Sequence, residues 1–88
     1  MGLDKYLKVS RLIKRRTVAN EACDAGRVSI NGKVAKASQE VKAGDILSIG
    51  FGQKTVEVEV LEVTEVVRKD EAKEMFRLIQ STQGETKA

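Results

Sequence analysis

Histidine, proline and tryptophan are absent from this 88-residue chain, cysteine occurs once, at Cys23, and the aromatic side chains are two Phe and one Tyr. A single cysteine excludes an internal disulfide. With no histidine beside it, a Cys/His zinc cluster built from this chain alone is excluded too. The usual general acid–base residue is missing, and no motif sets paired carboxylates in a cleft, so catalysis is not expected and no cofactor is implied. Cys23 falls among small apolar residues, which suits a buried packing side chain better than a reactive thiol. So few aromatics do not make a stacking platform for bases. No apolar run approaches the roughly 18 to 20 residues of a membrane span, and the N-terminus lacks the apolar core of a signal peptide. Met1-Gly2 opens like a myristoylation signal, but Tyr6 stands where Ser or Thr is required. The expected compartment is therefore the reducing cytosol, with no membrane partner. The length allows one domain with a small core and leaves little room for an enclosed active site.

What the chain has is charge, unevenly spread. Its formal net charge is +3, yet residues 1–36 hold nine Lys/Arg against three Asp/Glu, and residues 37–88 hold seven against ten. A basic half and an acidic half suggest a cationic face for a polyanion, or simply a solvated surface.

In the basic half, Leu3, Tyr6, Leu7 and the small Ser10 recur at helical spacing, while Lys5, Lys8 and Arg11 fall on the opposite side. This predicts a packed helix presenting a stripe of cations. Asp4 sits within that stripe near the helix start, where it favours the dipole and is placed to pair with Lys8. A second helix is predicted over residues 15–25, with Val18, Ala19, Ala22 and Cys23 as a narrow packing face and Gly26 as its left-handed cap. Lys14, Arg15 and Arg16 sit at its positive end, where cations cost stability. Together with the hydroxyl of Thr17 and the open N–H groups of the first turn, they make a candidate phosphate site. Asn31-Gly32 between two short β runs is a strong hairpin signal. Arg27, Lys33 and Lys36 extend the basic surface onto that hairpin.

The acidic half predicts a turn at Gly44-Asp45 entering a strand that ends at Ile49. Residues 55–60 alternate strictly, with Val56, Val58 and Val60 facing the core and Glu57 and Glu59 the solvent. The acidic strand region is placed at 54–67. Phe51 either stacks on a base or folds back on the sheet. A closing helix is predicted at 70–80, with Asp70 as N-cap and Ala72, Met75, Phe76 and Ile79 as its packed stripe. The domain then spans 1–80, and the polar residues 81–88 are expected to form a disordered tail.

The succession of a basic helix, a second helix with cations at its start, the run Gly26-Arg-Val-Ser-Ile-Asn-Gly32, and Val41-Lys-x-Gly44-Asp45-x-Leu-x-Ile49 resembles the RNA-binding domain named after small-subunit ribosomal protein S four. The opening Leu3-Asp-Lys-Tyr-Leu-Lys-Val-Ser-Arg-Leu-Ile-Lys-x-Arg16-Thr17 is most similar to the RqcP (YabO) family of small ribosome-associated quality control proteins. The wider group includes a ribosome-associated heat-shock protein. The resemblance covers about residues 3–49. It implies an α+β fold, two N-terminal helices packed on a small, mostly antiparallel sheet, closed by the C-terminal helix. It also implies a monomer that binds obstructed large ribosomal subunits carrying peptidyl-tRNA. There it would contact 23S rRNA and the P-site tRNA and work with RqcH in alanine tailing. The family's RNA-contacting pattern falls on Asp4, Lys5, Arg11, Arg16 and Thr17. One departure stands out: the family's second residue is usually arginine, and here it is Gly2. The alternatives are a heat-shock-type recycling factor and a protein adaptor using Glu57, Glu59, Glu62 and Glu65 or the terminal helix against a partner such as RqcH.

Overall fold

The computed structural model describes residues 1–64 and 75–83. Among the described residues two helices, α1 (Leu3–Val9) and α2 (Arg16–Asp24), precede five strands: β1 (Val28–Ile30), β2 (Lys33–Val34), β3 (Ile46–Phe51), β4 (Lys54–Val60) and β5 (Phe76–Gln83). The strands form one antiparallel sheet in the order β2-β1-β3-β4-β5.

Alternation decides which face is covered. Register sets Val28 opposite Ile49 and Leu47 opposite Val58, and these four side chains are buried with Val60. Against them lie Leu3, Tyr6 and Leu7 of α1 and Ala19, Ala22 and Cys23 of α2, in one continuous core. The small residues of α2 allow α1 and the sheet to approach closely. Val18, expected on that packing face, is instead 47% exposed. Its position, one residue before Ala19, turns it toward the flank.

Each helix ends where its backbone changes hand. α1 stops two residues earlier than its periodicity suggests: Ser10 caps it and Arg11 follows at φ 66°. Arg11 therefore leaves the Lys5–Lys8 helical stripe, a correction to the expected face. α2 ends in a full Schellman motif, with Gly26 at φ 77° donating to the Cys23 carbonyl (3.0 Å) and Arg27 to that of Ala22 (2.9 Å). The β1–β2 turn is the expected one, with Asn31 and Gly32 both at positive φ (52° and 86°). Asn31 also ties the hairpin to β3, since its Oδ1 accepts from the Ile46 N–H at 2.9 Å.

The closing element differs from expectation. Residues 76–80 lie in β5, not in a helix, and β5 continues through 83, so the proposed tail begins in a strand. The acidic strand ends at Val60, and residues 61–64 are irregular. The rest of the expected helix (70–74), residues 65–67 of the acidic region and residues 84–88 lie outside the described residues. The reason is tertiary. The edge of β4 offers a ladder to any segment that can pair with it, and Arg77 lies directly opposite Glu59, with Nη2 to Oε1 at 2.7 Å. A bulge between Val58 and Glu57 leaves Ile79 as the extra residue on β5. That insertion breaks the period-two signal and leaves an apolar spacing that imitates a helix. The junction is fixed from beneath by the Tyr6 hydroxyl, which donates to the Met75 carbonyl at 2.7 Å. Burial raises the pKa of that phenol well above its ordinary value.

Candidate nucleic-acid interface

The centre of the site is where α1 and α2 begin. The Asp4 carboxylate, on a residue only 7% exposed, accepts from Arg16 Nε (3.1 Å) and Asn20 Nδ2 (3.3 Å) through Oδ2, and from the Lys5 N–H (2.7 Å) through Oδ1. Burial alone would raise its pKa. The hydrogen bond and charge of Arg16, with the Lys5 N–H and Asn20, outweigh this and hold it below its ordinary value. Asp4 is therefore neither on an exposed stripe nor paired with Lys8, as the sequence suggested. It is a buried anchor for Arg16. The Arg16 side chain remains 58% exposed. Gripped at Nε, it turns the other edge of its guanidinium to an incoming oxyanion.

Backbone geometry adds donors. Arg15 occupies the N-cap of α2 in extended conformation, no side chain caps the helix, and its first turn carries no acidic residue. Ala19 donates to the Arg15 carbonyl at 3.0 Å, so the N–H groups of Arg16, Thr17 and Val18 lie ahead of the helical ladder. Lys14, Arg15, Arg16 and Thr17 are all exposed around them.

The expected residues do not share a single cleft. Asp4, Arg16 and Thr17 line one with Asn20 and Glu21. Lys14 and Arg15 line a neighbouring one with Phe51 and Val18. Arg27 borders a recess on the other side of Phe51. Lys33 lines a separate recess with Ile30, Asn31 and Gln39. Lys8, Arg11 and Lys36 are exposed, and Lys5 is half-buried. Asn20, which sequence reasoning missed, faces Asp4 from the turn of α2 above Arg16. Its spacing of four from Arg16 was the available signal.

Two other expectations settle locally. Cys23 is buried, and burial with the nearby Asp4 and Asp24 carboxylates pushes its thiol up to about 11, so it is an inert packing residue. At Gly2 (φ −73°) any side chain is conformationally allowed. A Cβ there would come within 3.3 Å of the Ala37 carbonyl oxygen and of Asp4 Oδ1, so an arginine would require a small adjustment around the Asp4 anchor. In the acidic half, Glu59 is engaged with Arg77, and Glu65 lies outside the described residues.

Two short helices on an antiparallel sheet, with cations gathered at the start of the second, define an RNA-binding domain of the ribosomal S-four class, and residues 1–47 match the S4 domain family. The RQC P-site tRNA stabilizing factor of Halalkalibacterium halodurans is 59% identical over 78 residues, covering 89% of each chain. Its counterpart in Bacillus subtilis is 57% identical over 79 residues, covering 90% of this chain and 92% of that one. The chain belongs to this RqcP family. Among solved structures, trimeric Vibrio cholerae heat shock protein 15 superposes with a TM-score of 0.84 at 28% identity, over 90% of this chain and 81% of that one.

Proposed function

We propose that this chain is a non-enzymatic RNA-binding factor of bacterial ribosome-associated quality control, acting in the cytoplasm as a monomer. It binds obstructed large ribosomal subunits carrying peptidyl-tRNA, contacts 23S rRNA and the P-site tRNA, and supports RqcH-dependent alanine tailing of the stalled chain. The observation that carries this reading is the Asp4-anchored Arg16 at the open end of α2. A buried carboxylate orients a guanidinium whose remaining donors suit a phosphate, in a turn that supplies further N–H donors. The names of its relatives, RQC P-site tRNA stabilizing factors, support a role at the P-site tRNA. Lys5, Lys8, Arg11, Lys14, Arg15, Thr17, Arg27, Lys33 and Lys36 provide the surrounding phosphate neutralisation.

The test is reconstituted alanine tailing on obstructed subunits, read beside co-sedimentation. Arg16→Ala is expected to weaken binding by about 1.5 to 3 kcal/mol, the worth of a charge-assisted hydrogen bond, and to shorten the tails in step. Wild-type co-sedimentation of that variant would remove Arg16 from the interface. Normal binding without tailing, but with altered subunit recycling, would favour the heat-shock-type role instead.

A further inference from the structure

Phe51 lies two residues beyond Ile49 on β3 and opposite Lys54, so its ring belongs to the sheet face that α1 and α2 cover. They cover it only in part. Phe51 is 39% exposed, and Val18, on the flank of α2, is exposed as well. Between them, with half-buried Leu12 as a wall and buried Ile13 beneath, is a cleft of about 450 Å³. Lys14 and Arg15 form one rim of it. Beyond the ring, an adjoining recess of about 310 Å³ ends at Arg27, with Glu21 its acidic lining residue.

An apolar slot with an aromatic wall and a cationic rim has the two halves of a nucleotide-binding surface. The flat ring offers a π-face to a base of any identity, and the cations offer a grip on the phosphate attached to it. The same slot suits an apolar protein segment less well, because closing it with such a segment would draw Lys14, Arg15 and Arg27 into contact with a surface that cannot pair with them. Arg15 also adjoins Arg16 in sequence at the start of α2, so the slot continues the phosphate-binding turn.

We propose that the Phe51–Val18–Leu12 cleft receives one unpaired RNA base, held by its phosphate to Lys14 and Arg15. This rests on the RNA-binding reading above and adds to it a base contact beside the phosphate contacts. It makes the domain a reader of an extruded nucleotide at one point of an otherwise backbone-directed interface.

The experiment uses the full chain and obstructed large subunits carrying peptidyl-tRNA, with Phe51→Leu, which keeps an apolar side chain without a ring, and Phe51→Trp, which keeps a ring. Phe51→Leu is expected to bind about tenfold more weakly, within the range for one base on an aromatic face, with an unchanged salt slope. Base-specific chemical probing should show one nucleotide protected by the wild type and by Phe51→Trp but reactive with Phe51→Leu. The wild type contains no tryptophan, so the indole of Phe51→Trp is a unique reporter, and its emission should be quenched on binding. Wild-type affinity and an unchanged footprint for Phe51→Leu would overturn the base contact while leaving salt-dependent RNA binding intact. Retained RNA binding with loss of a nuclease-resistant protein partner would give the cleft to a protein segment. Failure of the wild type to bind the subunits would remove both readings.

Discussion

Arg11 holds a backbone conformation that glycine or asparagine would adopt at lower cost. Its φ of 66° follows the cap of α1, where the left-handed region costs an ordinary side chain about 1 kcal/mol. A cation held there at that cost fits the RNA contact proposed for Arg11. Arg11→Gly is therefore expected to raise stability by up to about 1 kcal/mol in urea denaturation, while weakening binding to ribosomal subunits. A variant that is less stable, or that binds as well as the wild type, would contradict this. Asp4 yields a second expectation. Its folded-state pKa lies below the ordinary value of 3.8, so its stabilising contribution is complete above that value and is lost as pH falls through the lower, folded-state pKa. Asp4→Asn should cost about 1 kcal/mol at neutral pH, and the gap to the wild type should begin to narrow as pH falls below 3.8 and close below the folded-state pKa. A gap constant down to the acid transition would show that the carboxylate's charge is not what holds Arg16.

At the scale of elements, sequence pattern was informative wherever the governing interaction was local. The Asn31-Gly32 turn, the Gly26 cap and the Val56–Val58–Val60 alternation each follow from a few adjacent residues, and each stands where expected. Local pattern failed where a distant partner decided. Met75, Phe76 and Ile79 carry helical spacing, yet the open edge of β4 and the Glu59–Arg77 pair draw that segment into β5. Of the site, the clustering of cations at the start of α2 was legible. The inversion of Asp4 from exposed stripe to buried anchor was not, because it depends on how α1 crosses α2. The core beneath the site predicts its own sensitivity. Leu47 is fully buried opposite Val58 at the centre of the sheet, so Leu47→Ala should destabilise by about 2 to 5 kcal/mol. Loss of less than 1 kcal/mol in chemical denaturation would mean that the sheet tolerates a cavity there.

At the scale of the whole molecule, charge and fold are arranged together. The helices and the first hairpin come from the basic half of the chain, and the long strands β4 and β5 come from the half with a net negative charge. A polyanion is attracted to the cations of the basic half, gathered at the start of α2, which favours the encounter before any specific contact forms. The central claim is that this face holds RNA chiefly through phosphates, with Arg16 among the contacts. The most direct measurement is the affinity of the wild type and of Arg16→Ala for obstructed large subunits across a salt series. With about six phosphates engaged, wild-type affinity should fall roughly a thousandfold or more between 50 and 200 mM salt, and the log–log slope should be shallower by about 1 for Arg16→Ala. A nearly flat salt response, or identical slopes for the two proteins, would contradict the account.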